Sequence, residues 1–83
     1  MGDLIAAVAA VARRHLPAEA RAAAVDQDTD LAELGLDSVR VVGFMVDVER
    51  TFAVSFPDQL VDAATFRTPR AVAEAVRTLR GAG

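Results

Sequence analysis

Eighty-three residues with nine arginines, no lysine, twelve carboxylates and one histidine make one small domain with a formal charge of −3. That balance excludes a nucleic-acid binder, which needs a basic face for phosphates, and the absence of cysteine excludes disulfides and thiolate metal sites. No run nears the ~20 apolar residues of a membrane span, and no secretory leader is visible at the start, so a cytoplasmic location is expected. Apolar residues are plentiful but mostly alanine, which favours helices in close packing.

Leu4, Val8, Val11 and His15 or Leu16 recur at steps of three and four and predict a first helix from Leu4 to His15, capped by Asp3. Arg13, Arg14 and His15 fall in its last turn, where cations suit the dipole, and Pro17 stops it. His15 reads as a helix-end surface residue. Ala18 to Ala24 are helix-prone and allow a further turn or two.

Asp26 to Asp37 form a long loop with five acids and no base. Such loops are usually functional or internally packed. Leu31, Leu34 and Leu36 indicate packing, with Leu31 and Leu34 on one short helical turn. Asp26-x-Asp28-x-Asp30 copies the first ligands of a calcium-binding EF-hand loop. The match then fails: Leu31 stands where glycine is demanded, and Asp37 where a longer glutamate should close the site. A solvated acidic loop without a specific metal site is expected.

The loop ends in Leu34-Gly35-Leu36-Asp37-Ser38-Val39-Arg40. Gly35 suits a tight turn, and Asp37 is a good N-cap for the helix-patterned run behind it. Ser38 then lies in the first turn, where unpaired amides and the dipole favour an anion. Leu36 and Val39 are expected to anchor the loop and leave the serine outside. On spacing alone Ser38 reads first as a plain serine of a helix start that helps to cap. A serine nucleophile would need a base and an orienting group; the one histidine lies at the end of another helix, so no enzyme is expected.

The second helix should run from Ser38 to Phe52. Val39, Val42, Met45, Val46, Glu49 and Phe52 mark one stripe, and Val41, Phe44 and Val48 another. A helix apolar over more than half its circumference is deeply buried or offers a spare face. Arg40, Gly43, Asp47 and Arg50 form the polar face, with an Asp47–Arg50 pair possible at that spacing and Gly43 open to close approach of a neighbour. Phe56 should enter the core before Pro57. Asp58 to Phe66 predict a short third helix or two separate turns. Thr68-Pro69 opens a last helix to Leu79, with Val72, Ala75, Val76 and Leu79 inward. Val42, Phe44, Val46, Leu60, Ala64 and Phe66 either line a cleft or are simply core.

Gly35-Leu36-Asp37-Ser38-Val39 resembles the phosphopantetheine-attachment motif of acyl and peptidyl carrier proteins: Gly, a variable residue, Asp-Ser, then an aliphatic residue, usually Leu where this chain has Val39. The likeness covers most of the chain, through its length and helix order. It implies an all-α, four-helix bundle of acyl-carrier-protein type, one domain over 1–83, with a long loop between helices 1 and 2 and a short helix 3. It implies a non-catalytic, monomeric carrier holding 4'-phosphopantetheine, taken from coenzyme A, on Ser38, framed by Gly35, Leu36, Asp37 and Val39. An acyl, aminoacyl or aryl thioester would ride on that arm. The partners implied are a phosphopantetheinyl transferase, an acyl-loading ligase or acyltransferase, and downstream synthase or tailoring enzymes.

In that family the exposed face of helix two meets partners, which points to Arg40, Gly43, Asp47 and Arg50. Fatty-acid carriers are strongly acidic there; this face is mixed, with Arg40 and Arg50 beside Asp47 and Glu49. Gly-Leu-Asp-Ser resembles polyketide carriers and the following Val-Arg resembles aryl carriers, whereas peptidyl carriers more often have a second glycine where Leu36 stands. The expectation is a freestanding carrier of polyketide, nonribosomal or related antibiotic biosynthesis, with an excised synthase domain looking the same. The alternatives are a fatty-acid-synthesis carrier and an unmodified helical interaction module.

Overall fold

The computed structural model describes residues 2–82, with side chains from Leu4 to Gly81. Three α-helices form: α1 over Gly2–Arg14, α2 over Ser38–Phe52 and α3 over Pro69–Ala82, with 3₁₀ turns at Ala18–Ala20 and Asp58–Leu60. Among the described residues there is no strand. The all-helical class holds, but the count of four helices is corrected: the short third helix over Asp58 to Phe66 does not form, and the alternative of separate turns does, beginning with the 3₁₀ turn. Val61, at ψ 78, leaves helical geometry directly after the 3₁₀ turn. Asp62 then uses its carboxylate to accept from the Thr65 amide at 2.8 Å, a local bond that competes with helix. Asp3 lies within α1 rather than ahead of it, and its side chain falls outside the described residues.

α1 is the element against which both other helices pack. It buries Val8, Val11 and Ala12, with Leu16 just beyond its end; α2 contributes Phe44 and Val48, and α3 contributes Val72, Ala73 and Val76. Each fully buried large side chain adds about 1.5–3 kcal/mol over leaving it in water. Phe66 meets Phe44 edge-on at 6.0 Å between centroids and Phe56 at 5.0 Å. This aromatic group pins the stretch between α2 and α3 to the core, and Phe56 is buried as expected.

Helix ends follow local chemistry. Thr68 Oγ1 accepts from the Ala71 amide at 3.1 Å, and Pro69, the first residue of α3, is fully buried. At the end of α2, Ala53 takes the left-handed conformation (φ 56, ψ 48), and its amide and that of Val54 both reach the Glu49 carbonyl. No helix among the described residues is long and apolar enough to cross a membrane.

Candidate functional site

The end of the loop before α2, Leu31 to Gly35, is a single helical turn, capped at both ends. Asp30 Oδ1 accepts from the amides of Ala32 at 3.0 Å and Glu33 at 3.4 Å, as an N-cap does. At the other end Leu36 N donates to Leu31 O at 3.0 Å and Gly35 N to Ala32 O at 3.1 Å. That pair of bonds is the Schellman arrangement, which requires a residue of positive φ between them. Gly35 supplies it, at φ 108. Leu31 and Leu36 close the motif by burying together in the core, with Leu34 packed beside them.

Gly35 is needed for space as well as for conformation. A Cβ there would stand 2.6 Å from Pro17 Cγ and 2.9 Å from Cδ. The loop therefore rests directly on the residue that ends the α1 region. Two carboxylates of the acidic run tie it to the start of α3: Asp28 pairs with Arg70 at 2.9 Å and Asp30 with Arg67 at 3.0 Å. Backbone bonds run alongside, Leu31 N to Arg67 O and Arg70 N to Gln27 O. Arg70 holds the Asp28 carboxyl below the ordinary carboxylate range. The third acid, Asp26, accepts from Asp28 N and Thr29 Oγ1. The run that resembles calcium ligands is occupied by arginines and by its own backbone.

With the loop fixed, Asp37 caps α2. Its Oδ1 accepts from Val39 N at 3.1 Å and Arg40 N at 2.9 Å. Ser38 is then the first helical residue, and it is exposed. Leu36 is buried as expected, but Val39 is 81% exposed and anchors nothing. The reason is periodicity. Ser38, Val41, Val42 and Met45 share the face that opens on an apolar cleft of about 490 Å³, while Val39 follows Ser38 by one residue and points away from it.

Leu36 and Phe66 also line this cleft, with Val61 and Ala63 beyond and Asp62 and Arg67 bringing charge to its lining. Of the six residues expected around a cleft, Val42 and Phe66 are there. Phe44 is core and Val46 faces solvent, and Leu60 and Ala64 are not in the lining. Sequence reasoning missed Ala32, Val61 and Ala63, which come from turns too short to show a period, and Val41 and Met45, which it placed on separate stripes of α2.

The polar face of α2 is divided by the structure. Gly43 meets α1: a Cβ on it would stand 3.1 Å from His15 Nδ1. Asp47 accepts from His15 Nε2 at 2.9 Å, Arg14 Nη1 at 3.1 Å and Thr51 Oγ1 at 3.2 Å. The His15 bond leads the set that keeps the Asp47 carboxyl below its ordinary range, against an opposing effect of burial. His15 is thus a half-buried joint between helices, tilted against Phe44 at 6.3 Å, rather than a surface residue. Glu49 Oε2 accepts from Phe56 N at 2.8 Å. Arg40 and Arg50 stay exposed. The Asp47–Arg50 pair does not form; Asp47 is satisfied across the α1–α2 contact instead.

His15 is absent from the lining of the Ser38 cleft, so the serine has no imidazole beside it. An exposed hydroxyl at a helix start, next to an apolar cleft, is open to attachment of a group by another protein, as in a carrier domain. The profile of the phosphopantetheine attachment site family matches residues 3–76, and the chain belongs to that family, whose domains carry covalently attached 4'-phosphopantetheine.

The similar solved structures include two complexes of a carrier protein with a ligase. One, with 26% identity over 86% of this chain and 97% of the matched chain and a TM-score of 0.70, is a complex of an engineered Bradyrhizobium japonicum glycine:[carrier protein] ligase with a carrier protein from Agrobacterium tumefaciens and ATP. The other, with 25% identity over 93% and 95% and a TM-score of 0.70, is the Bradyrhizobium japonicum ligase with its cognate carrier protein and an analogue of glycyl adenylate. No curated protein sequence matches the chain.

Proposed function

We propose that Ser38 Oγ is the attachment point of the phosphopantetheine arm and that the chain carries an acyl, aminoacyl or aryl group for biosynthesis of the polyketide or nonribosomal type. The observation that supports this best is the placement of Ser38. It is the first residue of α2, exposed, beside the capping carboxylate of Asp37, and first on the face that lines the cleft. The free amides and positive end of α2 favour the negative charge of a phosphodiester. When bound, the group supplies a flexible arm ending in a thiol that holds the cargo as a thioester. The chain has no cysteine to compete with it.

The chain's own residues then have positional roles. Asp37 orders the first turn around the serine. Gly35 and Leu36 hold that turn to the core. Leu36, Val42, Met45 and Phe66 offer an apolar wall where an aliphatic or aryl cargo can shelter. Val39 and Arg40 present themselves to the enzymes that reach Ser38. These are a phosphopantetheinyl transferase, a loading ligase or acyltransferase, and downstream synthase or tailoring enzymes. A loading ligase is favoured because two of the similar structures are ligase–carrier complexes. On the polar face of α2, Arg40 and Arg50 reach solvent for such partners, whereas Gly43 and Asp47 hold α1 in place.

The test is intact mass after incubation with coenzyme A, Mg²⁺ and a promiscuous phosphopantetheinyl transferase, with Ser38→Ala alongside. The expected result is the gain of one phosphopantetheine in the wild type and none in the variant. No gain in a folded wild type, with a known carrier modified in parallel, would leave Ser38 as part of a helix start and the chain as an unmodified interaction module.

A further inference from the structure

The carboxylate of Asp30 is divided between two tasks. Oδ1 caps the turn before α2 by accepting from the amides of Ala32 and Glu33. Oδ2 accepts from Nε and Nη2 of Arg67, 37 residues on, each at 3.0 Å. The next residue repeats the tie through the backbone, Leu31 N donating to Arg67 O at 2.8 Å. Arg67 is thus joined by its side chain and its carbonyl to two consecutive residues of the loop. It is itself fixed on either side, between buried Phe66 and Thr68, whose hydroxyl caps α3.

This double tie joins two parts of the cleft lining beside Ser38. Ala32 and Leu36 come from the capped turn and its end, and Phe66 and Arg67 from the segment before α3. The amides that Asp30 caps are neutral and leave its charge in place; the guanidinium of Arg67 is what balances it. Burial pushes the Asp30 carboxyl up, yet the hydrogen bonds from Arg67 and from the turn's amides, with the Arg67 charge, hold it below its ordinary range. An ion pair whose arginine side chain is 65% exposed adds little to global stability. Its effect is local: it sets how firmly the turn rests on the segment before α3. The turn runs directly into Leu36, Asp37 and Ser38, so its placement passes to the serine.

We propose that Asp30 is a positioning residue for attachment of the arm, fixing where Ser38 Oγ stands by holding the capped turn against Arg67. The proposal rests on the reading of Ser38 as the attachment point. In that step Ser38 Oγ bonds to the coenzyme A phosphorus that bears the pantetheine. The bond from that phosphorus to the bridging oxygen breaks, adenosine bisphosphate leaves with the electron pair, and the serine proton passes to a base of the transferase. Such a displacement needs the attacking oxygen in line with the leaving group, so a shift of Ser38 slows the step more than it weakens binding of the chain.

The experiment compares the 83-residue chain with Asp30→Asn, Arg67→Gln and the double variant as substrates of a promiscuous phosphopantetheinyl transferase with coenzyme A and Mg²⁺. Asparagine keeps the cap, because its side-chain oxygen still accepts from the turn's amides, and removes the charge from the pair. The expected result is a kcat lower by roughly two- to fivefold in each single variant, an unchanged KM for the chain, and a double variant no slower than either single one. Arg67→Lys, which keeps the charge, should recover part of the rate. Asp28→Asn removes the other ion pair between the loop and the start of α3 and should leave kcat at the wild-type value. A merely structural role gives a different pattern: an unfolded fraction is no substrate, so it raises the apparent KM and leaves kcat alone. A second measurement needs no transferase. In Asp30→Asn the amides of Leu31, Gly35 and Leu36 should exchange with solvent faster relative to those of buried α1 residues.

Unchanged kcat in Asp30→Asn or Arg67→Gln would overturn the proposal, as would a rise in KM alone, losses that multiply in the double variant, an equal loss in Asp28→Asn, or unchanged exchange at the turn. No mass gain in the wild type would instead remove the reading of Ser38, and the proposal with it, whatever the exchange rates.

Discussion

Replacing Gly35 by alanine should unfold much of the domain's stability margin from one methyl group. The new Cβ meets two independent penalties. At φ 108 the backbone lies where L-residues are strained by about 1–3 kcal/mol. The methyl would also stand 2.6 and 2.9 Å from two carbons of the Pro17 ring, which cannot rotate away. Overpacking of this kind costs about 1–3 kcal/mol. Together they remove roughly 2–6 kcal/mol from a domain whose size implies about 4–12 kcal/mol in all. Urea unfolding followed by circular dichroism measures the loss, and a thermal scan should show a drop of at least about 10 °C.

A double-mutant cycle with Pro17→Ala separates the two penalties. Without the ring, Gly35→Ala should cost about 1–3 kcal/mol less, and the remainder is the backbone strain. A cost below about 0.5 kcal/mol in the wild-type background would refute the whole argument. An identical cost with and without Pro17 would refute the close approach while leaving the strain. Because the same turn delivers Asp37 and Ser38 to α2, any folded Gly35→Ala protein should also be modified more slowly by the transferase.

Three further predictions address other joints. Asp37→Ala removes the acceptor of two α2 amides and should cost about 1 kcal/mol, with faster hydrogen exchange confined to the amides of Val39 and Arg40; unchanged exchange there would exclude the cap. Ala53→Gly relieves the left-handed conformation at the end of α2 and should stabilise by about 0.5–1 kcal/mol after the entropy of the more flexible unfolded chain is subtracted; a loss of stability in urea would show that Ala53 is held by packing. The carboxyl of Asp47 lies below its ordinary 3.8 in the folded state. A group lowered by folding stabilises above its unfolded pKa, and that contribution disappears as pH falls through the folded value. Wild-type stability should therefore fall more steeply below about pH 4 than that of Asp47→Asn, and parallel urea midpoints across acid pH would contradict the linkage.

Much of this architecture was legible because it is local. Asp37 before an apolar run set the start of α2, Thr68-Pro69 set the start of α3, and both caps form as their residues dictate. The leucines of the acidic loop announced that it is packed, and the Gly-x-Asp-Ser spacing placed Ser38 at a helix start before any contact was known. Capping and turn chemistry act over three or four residues, so the order of residues carries them. The single turn at Leu31–Leu36 belongs to the same class, since Asp30 and Gly35 close it from either end.

Tertiary structure decided what depends on partners far along the chain. The helix-like composition of Asp58 to Phe66 yielded to turns, with Phe66 drawn against Phe44 and Phe56. Asp28 and Asp30 found arginines 42 and 37 residues away, and Asp47 found His15 rather than the arginine three positions on. No spacing rule contains those distances, because they arise only once the apolar faces of α1, α2 and α3 have chosen one another. The same choice fixed which valines of α2 face the cleft and which face water.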